Sequence, residues 1–315
     1  MLKRLTLLVV LIVIAKPVYD LAKPYAEQIL QSEEIATILE EAPAFIEQVP
    51  ELLNPTSTPT TVQVANETVQ PVDVANMEKP GTVTSYEELV AATFYYTERF
   101  TPYFEIEYKG STASLEQMLN NLYDDLKEQN EYVYYHLMKR NIEYTYTSRK
   151  ATIKFQHEYL TNYEQERYVN GKVQAIVNSI PAGMSDYEKV KYVNDWIVQN
   201  TAYGENTVAS PHSAYAVAME GVGVCQGYAL LALKLLQELQ IPTVYVVGDV
   251  ESGPHAWNLV QLDGQWYHLD ITWNDPLPDR GKKVRYDYFL KSDKEMRYDH
   301  AWIAADYPAA VTSYQ

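Results

Sequence analysis

The chain has one cysteine among its 315 residues, and its basic residues are comparatively few. A single cysteine cannot form a disulfide within the chain, nor can it supply a thiolate-rich zinc or iron–sulfur site. The 25 Lys and Arg residues are outnumbered by 42 Asp and Glu residues, and the formal net charge is -17. Because a surface this acidic repels phosphate backbones, we expect no nucleic-acid partner.

A long apolar run of the kind that crosses a membrane is also missing. The N-terminal run Leu5–Ala15 follows Lys3 and Arg4 and ends at Lys16. In a helix it would span about 16 Å, against a membrane core of about 30 Å. The segment 1–17 therefore predicts a signal peptide or a membrane anchor. Either interpretation makes the protein extracytoplasmic, secreted or tethered at the cell surface.

Composition divides the rest of the chain into four parts. Residues 18–53 are acidic with helical periodicity, which predicts an amphipathic helical stalk. Residues 54–84 are rich in Pro and Thr, and such a segment buries too little apolar surface to order, so we expect a flexible linker. The remaining parts are an α+β N-terminal region over 85–179 and a core over 180–315.

The N-terminal region shows alternating and helical patterns. Helices are expected at 86–97 and 115–129, a short strand at 104–108, and a hairpin of 141–147 with 152–159. Ile153 and Phe155 are expected to face inward. The hairpin holds several of the 28 tyrosines, which fit the half-buried face of a sheet better than a sugar-binding platform.

The core opens with helix signals and then becomes chemically specific. Ser185 and Glu188 form a capping-box pattern before a helix that reaches Asn200. Ser210 and Pro211 predict a further short helix, through residue 219. Cys225 follows a glycine-containing loop and starts a leucine-rich helix, where the helix dipole favours negative charge. Taken alone, such a cysteine is more often a small buried apolar residue than a nucleophile.

Downstream of Cys225, a strand over 255–262, an Asp-Gly turn and a strand over 265–273 predict a hairpin. A two-residue turn pairs Leu262 with Gln265, and this pairing fixes the register of the whole hairpin. Asp270 is then opposite Trp257. His255 and Asp270 then share one face as diagonal neighbours, within reach of a hydrogen bond. A three-residue turn would put them on opposite faces.

Cys225, His255 and Asp270 are thus a candidate nucleophile, base and orienting carboxylate. His268 shares their face and is the competing histidine, although a partly buried strand residue is the better interpretation. A metal site of His255, His268 and Asp270 lacks a characteristic ligand spacing, so we expect no metal. Asp249 and Asp275 are interpreted as structural or loop residues.

Three segments carry a resemblance to a known family. They are Val224–Ala229, Gly253–Asn258 and Trp266–Trp273. They resemble the core motifs of the transglutaminase-like superfamily, especially its extracytoplasmic bacterial members with a papain-like cysteine-enzyme core. The resemblance is strongest over 185–276 and weaker near 286–289 and 307–308. It implies Cys225 as nucleophile, His255 as acid and base, and Asp270 as orienting carboxylate.

The resemblance also implies a fold and a range of activities. The expected fold is α+β: helices with the nucleophile at a helix start, packed on an antiparallel sheet. The expected function is acyl transfer or hydrolysis of protein or peptide amides through a thioester, with substrates at the cell envelope. The alternatives are a cysteine peptidase or amidase of cell-envelope peptides, and a non-catalytic adhesion or scaffolding module.

The surroundings of the triad are less readable from the sequence. Candidate substrate-binding or oxyanion residues are Gln226, Trp257, His212 and Tyr215, beside the backbone N–H of Cys225. Animal-type transglutaminases use calcium, but no Asp- or Asn-rich calcium loop is present, so we expect no cofactor.

Overall fold

The computed structural model describes residues 80–278 and 281–314. All of them belong to one of the two units into which contacts divide the chain, Gln70–Gln315. The predicted signal or anchor (1–17), the stalk (18–53) and most of the linker (54–84) lie outside the described residues. Among the residues that are described, no helix is long and apolar enough to cross a membrane.

Helices and strands are interspersed along the described ranges. The helices are α1 (Tyr86–Glu98), α2 (Leu115–Gln129), α3 (Glu131–Tyr134), α4 (Tyr163–Asn178), α5 (Asp186–Asn200), α6 (Cys225–Glu238), α7 (Ile271–Asn274) and α8 (Asp293–Met296), with a π-helix at Ala216–Glu220 and a 3-10 helix at Ala304–Asp306. The strands are β1 (Thr82–Val83), β2 (Tyr103–Tyr108), β3 (Leu137–Thr147), β4 (Lys150–Tyr159), β5 (Ala202–Tyr203), β6 (Val222–Gly223), β7 (Thr243–Val250), β8 (Gly253–Leu262), β9 (Gln265–Leu269), β10 (Phe289–Lys291) and β11 (His300–Ala301).

A four-stranded sheet in the order β1-β2-β4-β3 organises the N-terminal region. The predicted helices, the strand at 104–108 and the hairpin are confirmed. Ile153 and Phe155 face inward as expected and are buried with Ile106, against Leu89 of α1 and Leu122 of α2. The alternating pattern of β4 explains this, because every second side chain faces the helices.

The tyrosines of β3 are more exposed than a half-buried sheet face predicts. Tyr144 and Tyr146 lie opposite Ile153 and Ala151 of β4, yet their exposed fractions are 39% and 64%. β3 is an edge strand of the sheet, beyond the apolar cluster formed with α1 and α2. Strand alternation set the correct face, but it could not show that the helices leave this edge uncovered.

Helix α6 is the centre of the second apolar core. It is apolar on nearly all sides, and a helix of that kind is stable only when it is surrounded by other elements. Its residues 227–233, 235 and 236 are buried, in one cluster with residues of α4, α5 and β8. The predicted boundary at residue 180 stays a prediction.

A five-stranded antiparallel sheet, in the order β10-β9-β8-β7-β11, packs against α6. Successive residues of β8 face opposite sides of the sheet. Val260 belongs to the cluster around α6, whereas Trp257 and Leu259 form a smaller cluster with Met296 and Ala310 of the C-terminal segment. The segment after β10 therefore covers the face of the sheet opposite α6.

Helix α5 has the predicted start. Ser185 Oγ accepts the backbone N–H of Glu188 at 3.3 Å, and Glu188 Oε2 accepts the backbone N–H of Ser185 at 2.7 Å. The capping box is therefore confirmed.

The short helix predicted from Ser210 and Pro211 is wrong in its start and type. Residues 211–213 form a turn, and a π-helix follows at Ala216–Glu220. Val224 donates its backbone N–H to the carbonyl of Pro211 at 3.0 Å. Ser213 instead caps the later helix, because its Oγ accepts the N–H of Ala216 at 3.1 Å. The turn is thus fastened to the residue that precedes α6.

Replacing Gly248 by alanine is expected to destabilise the sheet around the site. Gly248 lies opposite His255, and a Cβ there would collide with the carbonyl of Ala301 and lie 2.6 Å from the Trp257 ring. Overpacking of this kind costs about 1–3 kcal/mol of unfolding free energy, which urea unfolding measures.

The control for Gly248→Ala is Gly171→Ala in α4. Nothing lies within 4 Å of a Cβ at Gly171, so alanine is expected to stabilise that helix by about 0.5–1 kcal/mol. If both substitutions changed the free energy of unfolding equally, steric crowding at Gly248 would be disproved.

Candidate active site

Cys225 is the first residue of α6, as the sequence predicted. The preceding residue, Val224, has no polar side chain to cap the helix, so the first-turn N–H groups receive no side-chain acceptor from it. The Cys225 side chain is partly exposed. These features place the thiol at an accessible helix start, where the dipole favours a thiolate.

Close packing against Gly227 holds the start of α6 in place. A Cβ at Gly227 would lie 2.9 Å from the carbonyl oxygens of both Pro211 and Ser213. Only glycine lets the turn at 211–213 approach the helix this closely. The glycine two residues after Cys225 therefore has a packing role.

The predicted hairpin register is confirmed along the strands. Asp263 and Gly264 have φ values of 52° and 75°, as a two-residue turn of this kind requires. Leu262 pairs with Gln265, and the same register continues to Asn258 opposite Leu269.

The predicted length of the second strand is wrong. β9 ends at Leu269, and Asp270 is the N-cap of α7, with its carboxylate accepting the N–H of Trp273 at 3.1 Å. Aspartate is a preferred N-cap, so this local interaction ends the strand. His255 therefore meets a capping aspartate rather than a strand residue.

His255 and Asp270 nevertheless form the expected contact. His255 Nε2 lies 2.8 Å from Asp270 Oδ2, and both side chains are buried. Cys225 also acts on His255, because a hydrogen bond to its side chain and its charge both help to raise the pKa of the imidazole. The structure thus brings the three predicted residues together, with His255 between Cys225 and Asp270.

The electrostatics of the pair favour a charged imidazole. Burial opposes the charge, but the carboxylate of Asp270 and then Cys225 outweigh it and raise the pKa of His255 to about 10. Burial likewise opposes the charge of Asp270, but His255 and His300 lower its pKa to about 2. At neutral pH the pair is therefore an imidazolium beside a carboxylate.

His300 is a residue of the site that the sequence reasoning missed. Its Nε2 lies 3.1 Å from Asp270 Oδ2, the same oxygen that His255 contacts. Its Nδ1 lies 2.6 Å from Asp299 Oδ1. His300 belongs to a strand of only two residues, too short for a periodic pattern. No signal in the sequence would have placed it there.

His268, the competing histidine, has a structural role. The indole Nε1 of Trp257 donates to His268 Nδ1 at 2.9 Å, and His268 Nε2 lies 2.8 Å from Asp293 Oδ1. Burial lowers the pKa of His268 to about 4. His268 is therefore a neutral histidine that links the sheet to α8, and it takes no part in the triad.

The three residues that come together are not the three that the sequence suggested for a metal. In the described part of the chain, ligand-type atoms of His255, Asp270 and His300 lie within 4.8 Å of one another. They are buried and already hydrogen-bonded to one another. Hydrogen bonding accounts for this cluster, whereas His268 faces Asp293.

The other predicted substrate or oxyanion residues are mostly framework. Trp257 is only 1% exposed and stacks on the His255 ring at 5.8 Å, so it supports the imidazole from behind. Gln226 donates its side-chain N–H to the Tyr135 carbonyl at 3.1 Å, which fastens α6 to the segment after α3. Burial and anchoring thus argue against substrate contact by Trp257 and turn the amide of Gln226 toward the protein.

His212 and Tyr215 lie on the segment before α6. His212 is exposed, and the Tyr215 ring packs edge-on against Tyr168 of α4 at 6.1 Å. Among the hydrogen bonds, ion pairs and ring contacts of the described residues, none joins His212 or Tyr215 to the triad. The turn at 211–213 meets α6 through its backbone, and this explains why proximity in sequence did not bring these side chains to the thiol.

Two further tyrosines lie close to Cys225. Burial, followed by the charge of Cys225, raises the pKa of both Tyr203 and Tyr245. Tyr245 is buried and Tyr203 is 42% exposed. Tyr203 is thus an aromatic residue beside the thiol with one side open to solvent. The prediction that Asp275 is structural fits its acceptance of the Tyr228 hydroxyl at 2.7 Å.

Residues 174–271 match the family model of the transglutaminase-like superfamily, whose members are typically cysteine enzymes. The matched range contains Cys225, His255 and Asp270 and ends before His300. This part of the chain is similar to a transglutaminase-like core, and the expected α+β fold class is confirmed. A search of curated proteins finds no match.

Three solved structures are similar to parts of the chain. One, from Cytophaga hutchinsonii, is described as a proposed cysteine protease, with 18% identity over 47% of this chain and 70% of that chain, and a TM-score of 0.30. A TGase has 15% identity over 61% of this chain and 59% of its own, with a TM-score of 0.29.

The third structure is menin, in a form that reveals the binding site for the Mixed Lineage Leukemia protein. It has 16% identity over 69% of this chain and 42% of its own, with a TM-score of 0.29. The chain thus spans less than two thirds of the TGase and menin chains. At TM-scores this low, no functional conclusion follows from the three likenesses.

The stability of the protein is expected to depend on pH through His255. Its pKa is about 10 in the folded chain, against about 6.5 when unfolded. Folding therefore binds a proton, and the stabilisation is complete below about pH 6.5 and lost as the pH rises through about 10. The difference in unfolding free energy between wild type and His255→Gln should narrow from about pH 6 to about pH 10. A constant difference would contradict the raised pKa.

Proposed function

We propose that the protein is a cysteine acyltransferase or amide hydrolase that acts on protein or peptide carboxamides through a thioester. The observation that carries the proposal is the position of His255, which interacts with Cys225 and lies 2.8 Å from the buried carboxylate of Asp270. A nucleophile needs a base that a third group orients, and these contacts supply that arrangement. The family match over 174–271 supports the same chemistry.

The first half of the proposed reaction forms the acyl-enzyme. The Cys225 thiolate attacks the carboxamide carbon, and the C–O π electrons move to oxygen. The tetrahedral oxyanion then collapses, the C–N bond breaks, and the His255 imidazolium gives its proton to the departing ammonia or amine. Cys225 is left as a thioester and His255 as a neutral imidazole.

The second half regenerates the enzyme. Neutral His255 removes a proton from water or from an acceptor amine, which attacks the thioester carbon. The C–S bond breaks, and Cys225 leaves as a thiolate beside the protonated His255. Water gives hydrolysis, and an amine gives transfer, so the same site supports either outcome.

The start of α6 offers a hydrogen-bond donor for the oxyanion. The proposed donor is the backbone N–H of Cys225, where the helix dipole also favours negative charge. Val224 contributes no capping side chain that would compete for these amides. Tyr203, partly exposed beside Cys225, is the proposed wall for the bound peptide.

The proposed setting is the cell envelope. It rests on the sequence of residues 1–17, in which Lys3 and Arg4 precede an apolar run. Substrates there would be proteins or peptides. The partly exposed Cys225 beside the buried His255 and Asp270 favours an enzyme over a non-catalytic adhesion or scaffolding module, since a module has no need of an aligned Cys, His and Asp.

The first test is the pH profile of Cys225 alkylation by iodoacetamide, followed by mass spectrometry. A thiolate paired with protonated His255 should react near pH 6, and His255→Ala should slow that reaction about a hundredfold. His157→Ala is the control, because His157 is a buried histidine of the N-terminal sheet. A slow thiol that is indifferent to His255 would favour the scaffolding alternative.

The second test separates transfer from hydrolysis. Wild-type protein and Cys225→Ala are incubated with glutamine-containing peptides, with and without a labelled primary amine. Amine incorporation that depends on Cys225 identifies a transferase, whereas deamidation or cleavage despite excess amine identifies a hydrolase. No mass change with either enzyme form across a broad peptide library would count against the proposed reaction.

A further inference from the structure

The Asp270 carboxylate serves two histidines through one oxygen. Oδ2 lies 2.8 Å from His255 Nε2 and 3.1 Å from His300 Nε2. The other oxygen accepts the Trp273 N–H at 3.1 Å. Because Asp270 is completely buried, these partners replace its water. His300 is therefore a direct partner of the orienting carboxylate.

A second carboxylate, that of Asp299, contacts His300 and determines how many protons the ring carries. Its Nδ1 lies 2.6 Å from Asp299 Oδ1, while Nε2 faces Asp270 Oδ2. A carboxylate accepts hydrogen bonds and does not donate them. Both contacts form together only when both ring nitrogens carry protons, so the geometry selects a cationic His300.

Tyr288 contacts both of the aspartates that hydrogen-bond to His300. Its hydroxyl donates to Asp299 Oδ2 at 2.5 Å, and its backbone carbonyl accepts the Asp270 N–H at 3.0 Å. One residue thus holds the carboxylate of Asp299 and the backbone of Asp270, the two aspartates that flank His300. The His300 ring also lies 5.1 Å from the Trp257 ring and 4.5 Å from the Trp273 ring, which holds its plane.

We propose that His300 is a positioning residue for the acyl-transfer reaction, fixing Asp270 Oδ2 for His255 and adding a positive charge beside the Cys–His pair. The proposal rests on the proposed function. It extends that site beyond the range matched by the family model, which ends at residue 271.

The charged and titratable groups around His300 come from five elements or their flanks. Asp270 begins α7, Asp299 precedes β11, Tyr288 precedes β10, and the His255 ring of β8 lies 5.4 Å away. The fifth is His268 of β9, which feels the charge of His300 but is neutral, because burial lowers its pKa to about 4. His300 is therefore the one added cation among these groups beside the reacting pair.

Two substitutions separate positioning from charge. His300→Phe removes both hydrogen-bond donors and the charge, whereas His300→Gln keeps an N–H donor for Asp270 without the charge. Loss of a cation favours the protonated form of every nearby group, so the alkylation profile of Cys225 should move about one pH unit upward in both variants. The rate of amine incorporation or hydrolysis on glutamine-containing peptides should fall about tenfold in His300→Phe and recover in His300→Gln.

The controls distinguish this proposal from the proposed function itself. His157→Phe replaces another buried histidine and should leave the alkylation profile and the rate of the peptide reaction unchanged. Asp299→Asn keeps the His300 ring, weakens its protonation and should move the profile upward as well, even if His300→Phe fails to fold. If His255→Ala changes the alkylation profile and none of the His300 and Asp299 variants moves it, His300 only packs the core. If wild type does not respond to His255→Ala, the proposed function fails first.

Discussion

The buried carboxylate of Asp270 is the group on which the candidate site depends. Removing a carboxylate from water is costly, and only several well-placed donors offset that cost. Here the donors are the amide of Trp273 and two imidazoles, one on β8 and one on β11. The short helix α7, the hairpin and the C-terminal segment are therefore arranged around a single charge. The interaction that ends β9 is the same one that orients His255.

Much of this arrangement was predictable because it is local. The Asp-Gly turn fixes the hairpin register, and the glycines and leucines around Cys225 place it at a helix start. The end of β9 was missed because strand propensity in residues 270–273 competes with the capping preference of Asp270. A helix of four residues gives no periodic pattern by which to recognise it.

The rest of the site depends on contacts that a sequence pattern does not contain. His300 reaches Asp270 only because β11 pairs with β7, a pairing between two elements far apart in the chain. From the sequence, Trp257 is a reasonable candidate for substrate contact. In the structure, Trp302 and His300 cover its other face. The tyrosines of edge strand β3 show the same limit of sequence patterns. Alternation predicts which face of the sheet a side chain lies on, but it does not predict which elements cover that face.

The position of His300 has a consequence for when the site can exist. Cys225 and His255 lie on α6 and the hairpin, whereas His300 lies on β11, which is joined to β7 by only two residue pairs. When β11 is detached from β7, Asp270 lacks one of its two imidazoles and Trp257 lacks part of its cover. Local opening of this short strand would therefore change the charge arrangement around the thiol while the hairpin stays folded.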